Sequence, residues 1–206
     1  MKKSENIDWL RFEKEAYANG FECVCGVDEA GRGPLAGPVC AAAVILPKGM
    51  IIDGVNDSKK LSEKKREILF DVIKEKACCC AVAFADVEEI ENINILNAAM
   101  LAMQRAVDAL QIRPGFAIID GNRLPPIDVS ARAVVKGDAL SMSVACASIL
   151  AKVSRDRLML EYAQKYPQYH FEKHKGYGTK LHIEMLKKYG PCEIHRPSFL
   201  TKILSK

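Results

Sequence analysis

The chain has 206 residues, of which 49% are hydrophobic, and a formal net charge of +4. This length and apolar content are sufficient for one sizeable hydrophobic core, so we expect a single domain over residues 1–206. The sequence has no apolar run long enough to span a bilayer and no hydrophobic segment near its start. We therefore expect no membrane association and a cytoplasmic location.

Positive charge is concentrated near the C-terminus. Residues 151–206 contain 12 Lys/Arg against 5 Asp/Glu, whereas the first 150 residues contain 18 against 21. Cations that hold phosphates beside carboxylates that hold metal ions suit a nucleic-acid enzyme, although an ordinary solvated surface can have the same balance. The eight cysteines lack the paired spacing of a zinc site and predict small buried thiols in a reducing compartment.

Hydrophobic periodicity and turn residues predict ten elements along the chain. The first half contains helix 7–18, strand 22–28, strand 38–46, a helix capped by Ser62 that ends at residue 77, and strand 77–85. The second half contains helix 94–110, strand 116–119, strand 128–135, helix 139–166, helix 179–188 and a short tail.

This order predicts an α/β fold with a five-stranded mixed sheet flanked by helices. Short links between the first three strands favour antiparallel pairing, and the helix before the fourth strand permits a parallel crossover. We expect an α/β core over residues 22–166 and a helical C-terminal part over residues 167–206.

A glycine-rich loop joins the first two predicted strands. The segment GVDEAGRG (26–33) places two carboxylates at the end of a strand and two glycines within the next four residues. Glycine allows another molecule to approach the backbone closely, so the pattern suggests a metal site that faces a phosphate or a sugar. A hairpin with an acidic turn is the ordinary alternative, and the segment matches neither a Walker loop nor a Rossmann fingerprint.

Three aspartates occur in one structural context. Asp28 ends the first strand, Asp120 ends the fourth, and Asp138 opens the helix after the fifth. If the first and fourth strands are parallel neighbours, their C-terminal ends bring Asp28 and Asp120 together. The ordinary alternatives are a turn at Asp120 and a helix N-terminal charge at Asp138. Glu29 can share a site with Asp28 only if the backbone bends, as a bulge would allow, because adjacent strand residues point to opposite faces.

A cluster of carboxylates repels itself and takes up protons or cations. Hard oxygen ligands suit Mg²⁺ or Mn²⁺ rather than zinc. Two such ions can activate water and stabilise the leaving oxygen in phosphodiester cleavage. We therefore expect Mn²⁺ or Mg²⁺ as the cofactor.

Together these segments resemble ribonuclease HII, the type 2 ribonuclease H family. The resemblance extends from residue 24 to residue 199, and its segments are GVDEAGRG (26–33), DSKKLS (57–62), IIDGN (118–122), KGD (136–138), ASILAKVSRD (147–156), HKGYGT (174–179) and HRPSF (195–199). It implies a ribonuclease H-like fold and hydrolysis of the RNA strand of RNA–DNA hybrids. It also implies incision 5′ to single ribonucleotides embedded in duplex DNA, with 5′-phosphate and 3′-hydroxyl products.

The same resemblance implies a set of functional residues. For catalysis and metal binding they are Asp28, Glu29, Asp120 and Asp138, and for nucleic-acid binding they are Gly31, Arg32, Gly33, Lys59 and Tyr177. The backbone of the three loop residues would read the 2′-hydroxyl group, the tyrosine would stack on the sugar of the following deoxynucleotide, and the lysine would contact a phosphate. The implied partners are RNA–DNA hybrids and DNA duplexes that contain ribonucleotides, and we expect a monomer.

Three alternatives are weighed against this interpretation. Ribonuclease HIII has a large N-terminal extension and a different loop, so the short segment before Asp28 and the presence of Arg32 favour type HII. A junction resolvase has no 2′-hydroxyl to sense, so the loop and Tyr177 argue against it. A non-catalytic binding module would not need clustered carboxylates, which weaken phosphate binding. Cys146 and His170 depart from the alanine and glycine that are usual in the family.

Overall fold

The computed structural model describes residues 8–204, and a five-stranded sheet with the order β3-β2-β1-β4-β5 forms its centre. The strands are β1 (Val24–Ala30), β2 (Val39–Ile45), β3 (Cys79–Ala85), β4 (Phe116–Asp120) and β5 (Ser130–Val134). β1, β2 and β3 pair in an antiparallel manner, whereas β4 is parallel to both β1 and β5. The predicted mixed sheet and its parallel crossover are therefore confirmed.

Helices cover both faces of this sheet. Within the described residues they are α1 (Arg11–Ala18), α2 (Glu63–Lys76), α3 (Val87–Asp108), α4 (Met142–Lys165), α5 (Phe171–His174), α6 (Lys180–Tyr189) and α7 (Pro197–Leu204). The predicted cap of α2 is confirmed, since the Ser62 hydroxyl accepts a hydrogen bond from the N–H of Lys65. Ile7, the predicted first residue of the first helix, lies outside the described residues. Trp9 and Leu10 form a turn, so the predicted start of this helix was too early and α1 begins at Arg11.

The strand β2, which lies between β3 and β1, is buried along its whole length. Ala41 and Ala43 face the core under α3, whereas Ala42 and Val44 face the core under α2 and α4. Because successive strand residues point to opposite faces, one apolar run supplies both cores. The small alanine side chains allow helices to approach both faces of the sheet closely.

Two further predicted helix boundaries were wrong. α3 begins at Val87, where Asp86 and Glu89 form a capping box, and not at Asn94. Asn94 has φ +66° and interrupts the helix, and its side chain accepts hydrogen bonds from the N–H groups of Leu96 and Asn97. The predicted helix from residue 94 is therefore only the second half of α3, which Asn94 caps.

The long helix α4 begins at Met142 and not at residue 139. Ser141 caps it, and Asp138 lies in a separate 3₁₀ turn over Gly137–Ala139. The Asp138 carboxylate is consequently not a helix N-terminal charge, which was one of its alternative explanations.

The segment after Gly190 is not the predicted short tail, because it forms α7. Residues of the C-terminal helices pack around Leu35 and Ala36 in a core of their own. His170, where glycine is usual, has φ +58°, a left-handed conformation that glycine adopts most readily. The division at residue 166 stays a prediction. In the part of the chain that the structure describes, no helix is long and apolar enough to cross a membrane.

A buried carboxylate attaches α1 to the start of α4. Glu13 Oε1 accepts hydrogen bonds from Ser141 Oγ at 2.6 Å and from Ser143 N and Oγ at 3.0 and 2.7 Å. On the opposite side, a methyl group added at Gly26 would lie 2.2 Å from the backbone of Ser143. The first turn of α4 therefore lies directly on β1, beside the strand end that carries Asp28.

The eight cysteines are all free thiols. Cys25, Cys40 and Cys146 are buried, and burial raises the pKa of Cys25 to about 12. Cys23, Cys79, Cys80 and Cys192 are only partly buried, and the prediction of buried thiols was wrong for Cys78, which is exposed. It follows the helix α2 at the start of an outer strand, where the sheet no longer covers it.

Candidate active site

Three aspartates meet at one edge of the sheet. Val27 of β1 pairs with Ile119 of β4 in parallel register, so Asp28 and Asp120 follow on neighbouring strands. The N–H of Asp138 donates to Asp120 Oδ1 at 3.4 Å. A methyl group added at Gly137 would lie 3.3 Å from Asp120 Oδ1, so this close approach favours glycine there. The structure thus brings together the three positions that the sequence placed at element ends.

Glu29 reaches the same groove without the bulge that was expected. The β1–β2 register is uninterrupted from Cys25 to Ala30, so the predicted backbone bend is wrong. Asp28 lies opposite Ala42 on the α4 face, and Glu29 lies opposite Ala41 on the α3 face. Both side chains line one groove. The groove crosses the end of β1, so residues on either face of the sheet can reach it.

Burial, together with neighbouring negative charges, raises the pKa values of Asp28, Glu29 and Asp138. Burial, followed by the charges of Glu29 and Asp120, raises the pKa of Asp28 well above its usual range. Burial and the charge of Asp120 also raise the pKa of Asp138. For Glu29, burial outweighs the opposing effect of Arg32, whose Nη1 lies 3.4 Å from Glu29 Oε1. In their ionised form these carboxylates therefore lower the stability of the folded protein. A bound cation would relieve this repulsion.

The donor set fits a hard divalent cation, because every ligand candidate at this edge is a carboxylate oxygen. Within residues 8–204, no three His, Cys, Asp or Glu side chains converge closely enough to enclose a metal ion as they stand. Two of the carboxylates are paired with side-chain cations instead. Arg32 contacts Glu29, and Lys59 Nζ lies 3.7 Å from Asp138 Oδ2.

Two buried arginines hold the glycine-rich loop from behind. The Arg196 guanidinium, with no exposed surface, donates five hydrogen bonds of 2.7–3.0 Å to the carbonyls of Gly31, Arg32, Pro34 and Gly37. Arg155 donates to the carbonyls of Ala36, Pro38 and Lys175. Burial, with the nearby charge of Arg155, lowers the pKa of Arg196 to about 9, so it remains a cation at neutral pH.

The loop exposes backbone donors to the groove. Gly31 has φ +100°, and a methyl group added there would lie 2.1 Å from Arg155 Nε, so only glycine fits. Within residues 8–204, the N–H groups of Gly31, Arg32 and Gly33 donate to no backbone or side-chain acceptor. Three adjacent free donors beside a carboxylate cluster can bind a hydroxyl or phosphate oxygen.

Tyr177 forms the opposite wall of the groove, which has a volume of about 510 Å³. Its side chain is 41% exposed, and a methyl group added at Gly33 would lie 4.0 Å from its Cε1 atom. Lys152 Nζ lies 5.5 Å from the centre of the ring, within the range of a cation–π contact. Lys59 stands at the rim with a side chain that is 83% exposed. Seven of the nine predicted site residues line this groove. Asp120 and Asp138 do not line it, but their charges act on Asp28, which does.

Comparison with known proteins agrees with this geometry. The sequence profile of the Ribonuclease HII family matches residues 25–202. The chain belongs to this family. It is 55% identical to a ribonuclease HII of Caldicellulosiruptor bescii over 100% of both chains, and 61% identical to one of Idiomarina loihiensis over 85% of this chain and 94% of the relative. A crystal structure of ribonuclease H2 from Pyrococcus horikoshii OT3 superposes with a TM-score of 0.74 at 29% identity, over 89% of this chain and 97% of that one.

The ribonuclease HII family and the ribonuclease H-like fold were thus predicted correctly from the sequence segments. Sequence reasoning assigned no role to several residues of the groove and its support. Asp57 contributes to the raised pKa of Asp138, and Lys152 lines the groove beside Tyr177. Both residues lie in segments on which the family resemblance rests, so that resemblance was the signal that could have identified them. Arg196 follows Gly31 by 165 residues, so no local spacing indicates that it holds the loop.

Proposed function

We propose that this protein is a divalent-metal-dependent endoribonuclease that hydrolyses the RNA strand of RNA–DNA hybrids and incises 5′ to a single ribonucleotide in duplex DNA. The products carry 5′-phosphate and 3′-hydroxyl ends. One observation carries the proposal: a cluster of mutually repelling carboxylates, three free backbone donors and an exposed tyrosine share one region of the fold. Membership of the ribonuclease HII family supports this reaction class.

The carboxylates of Asp28, Glu29, Asp120 and Asp138 are the proposed ligands, and Mg²⁺ or Mn²⁺ is the proposed cofactor. When bound, such ions activate water and stabilise the leaving oxygen. The protein contributes the position of these oxygens, because the ends of β1 and β4 and the turn at Asp138 are fixed by sheet register and by the contact of α4 with β1. A positioned donor set lowers the free energy needed to arrange substrate and water.

Discrimination between RNA and DNA is assigned to the loop and to Tyr177. The free N–H groups of Gly31, Arg32 and Gly33 can donate to a 2′-hydroxyl, which DNA lacks. The Tyr177 ring faces Gly33 across the groove and can stack on the sugar of the next deoxynucleotide. The exposed Lys59 ammonium at the rim is the proposed phosphate contact.

The decisive experiment compares three labelled substrates with Mg²⁺, Mn²⁺ or EDTA: a duplex DNA with one ribonucleotide, the same duplex without it, and a long RNA–DNA hybrid. We expect metal-dependent cutting 5′ to the ribonucleotide and none in the all-DNA control. Cutting of the hybrid alone would refute recognition of the single ribonucleotide. Binding of all three without cutting would favour the non-catalytic binding module.

Single substitutions test the individual roles. Asp28→Asn should abolish cleavage and leave substrate binding intact, whereas Asp71→Asn on the exposed face of α2 is the matched control. Near wild-type turnover of Asp28→Asn in Mg²⁺ would refute the ligand assignment. Tyr177→Ala should impair cutting at the single ribonucleotide, by about 5- to 150-fold if stacking contributes 1–3 kcal/mol. Equal rates on that substrate would contradict the role of the ring.

A monomer in the cytoplasm is the proposed physiological state. The eight free thiols fit a reducing compartment. Light scattering on the eluted protein should give the mass of one 22.8 kDa chain. A stable dimer at micromolar concentration would overturn the proposed monomer without affecting the proposed reaction.

A further inference from the structure

Three histidines of the C-terminal part are buried and have no place in the proposed chemistry. His174, His182 and His195 are 7%, 0% and 2% exposed. His182 Nε2 lies 3.0 Å from His195 Nε2, and the rings of His174 and His182 stack with centres 4.4 Å apart. The ring nitrogens of His182 and His195 are engaged in hydrogen bonds with each other and with backbone groups.

Backbone groups determine which nitrogen of each imidazole carries the proton. The N–H of Cys192 lies 2.9 Å from His195 Nδ1, and an N–H can only donate, so this nitrogen is the acceptor. Neutral His195 therefore carries its proton on Nε2 and donates to His182 Nε2. His182 in turn carries its proton on Nδ1 and donates to the carbonyl of Tyr177 at 2.9 Å. The result is a directed chain from Cys192 through His195 and His182 to Tyr177, which we term the histidine relay.

The neutral state that this chain requires is favoured by its surroundings. Burial, reinforced for His195 by the charge of His182, lowers the pKa of both imidazoles to about 4. The titratable groups that face them are His174, Tyr169 and Cys192. A proton on both nitrogens of His182 would set two donors against each other at the contact with His195, and the relay would break.

The relay ends at a segment that has little regular structure of its own. Residues 175–179 connect α5 to α6, and Lys175 and Gly176 both have positive φ. The Tyr177 carbonyl accepts from His182 Nδ1 and from the N–H of Thr179 at 2.8 Å. The direction of this carbonyl fixes the peptide plane and hence the point from which the Tyr177 ring enters the groove.

The other end of the relay is attached to the glycine-rich loop. His195 forms an isolated β-bridge with Ala36. The N–H of Gly37 donates to the carbonyl of Ile194, and the N–H of Arg196 donates to the carbonyl of Leu35. The same short segment that carries His195 therefore supports the loop. The relay connects this segment to Tyr177, in addition to the direct hydrogen bond of 2.8 Å from the Leu35 N–H to the Gly176 carbonyl.

We propose that the histidine relay fixes the separation between the glycine-rich loop and the Tyr177 ring, so that His182 is a positioning residue for recognition of the junction between a ribonucleotide and the following deoxynucleotide. This inference rests on the proposed function. It assigns to His182 an action through Tyr177 and not a contact with the substrate.

Two isosteric substitutions separate the two hydrogen bonds of His182. In His182→Asn, the side-chain amide nitrogen replaces Nδ1 and keeps the donor to Tyr177. In His182→Gln, the amide lies at the position of Nε2, which keeps the link to His195 and loses that donor. On the single-ribonucleotide duplex, we expect kcat/KM to fall about tenfold for His182→Gln, as loss of one hydrogen bond predicts, and by at most about threefold for His182→Asn. On a long hybrid, which lacks the junction, both variants should stay within about threefold of wild type.

A merely structural histidine would give a different pattern. The Asn and Gln variants would then be equally impaired, and both substrates would be affected alike, which would overturn the proposal. A double-mutant cycle with Tyr177→Ala adds a second criterion. Because His182 is inferred to act through the ring, His182→Gln should lower kcat/KM less than twofold in the Tyr177→Ala background. A full tenfold further loss would refute the relay.

The wild-type protein provides a measurement that does not depend on the folding of a variant. The ¹⁵N shifts of the imidazoles at pH 7 should show neutral His195 protonated on Nε2 and neutral His182 protonated on Nδ1. Opposite tautomers or a cationic imidazole would overturn the relay. Failure of the proposed function is distinguishable, because in that case the wild-type protein itself would not cut the single-ribonucleotide duplex in Mg²⁺ or Mn²⁺.

Discussion

The support of the glycine-rich loop by Arg196 gives the sharpest test of the site. Five hydrogen bonds from one buried guanidinium serve four loop carbonyls. A lysine at this position has three donors on a single nitrogen, so at least one carbonyl loses its partner. An unsatisfied buried carbonyl costs about 1–3 kcal/mol. For a chain of this size, 1 kcal/mol corresponds to about 2–4 °C in Tm, so Arg196→Lys should lower Tm by about 2–12 °C.

Methionine at the same position leaves all four carbonyls without a donor. The expected loss is about 4–12 kcal/mol, which is comparable with the whole stability of a typical domain. Arg196→Met should therefore fail to fold or release the loop. Arg157→Lys is the matched control. Arg157 is an arginine that pairs with Glu67 and is 44% exposed, and exposed ion pairs contribute at most about 1 kcal/mol.

Thermal unfolding and cleavage should be measured on the same preparations. At 25 °C, where Arg196→Lys is expected to be folded, cutting at the single ribonucleotide should decrease more than the fraction of folded protein does, because the loop N–H groups are no longer held in place. A Tm within 1 °C of wild type together with kcat/KM within twofold would refute the argument that these carbonyls need the guanidinium.

Three further predictions concern charge, space and pH. Asp28→Asn should raise Tm in EDTA, because the raised pKa of Asp28 means that its charge destabilises the folded state above that pKa; an unchanged or lower Tm would contradict the repulsion. Gly33→Ala should leave stability within about 0.5 kcal/mol but impair cutting at a single ribonucleotide, since the added methyl group faces Tyr177 in the groove; unimpaired kcat/KM would show that the groove is wider than inferred. Burial lowers the pKa of His182 and of His195 from 6.5 to about 4, so the unfolded chain takes up protons first as the pH falls. The contribution of these histidines to the free energy of unfolding should be complete above pH 6.5 and should decrease towards pH 4 by up to about 3 kcal/mol per histidine. Urea titrations of wild type that show no decrease in the free energy of unfolding over this pH range would contradict the neutral relay.

The fold was predictable because its signals are local. The apolar runs of β1, β2 and β4 are bounded by glycine, proline and aspartate, and short links favour antiparallel pairing of the first three strands. The aspartates at the strand ends needed only the parallel pairing of β1 with β4 to become neighbours. The segments GVDEAGRG and HKGYGT indicated the family, because the glycines and side chains that bind one substrate occur together in these segments.

Tertiary structure alone decided how these residues are held. The Asn94 break in α3, the separate turn at Asp138 and the approach of Glu29 from the opposite face of β1 depend on packing between layers, which local propensity does not encode. Arg196 and the histidine relay act across 165 and 13 residues of chain, and their hydrogen bonds form only where the C-terminal helices meet the loop. The sequence by itself determined the elements, the family and the chemical groups of the site, because these follow from local pattern and residue identity. The tertiary structure determined which buried groups orient the loop and Tyr177, because burial and hydrogen-bond partners arise only when distant segments meet.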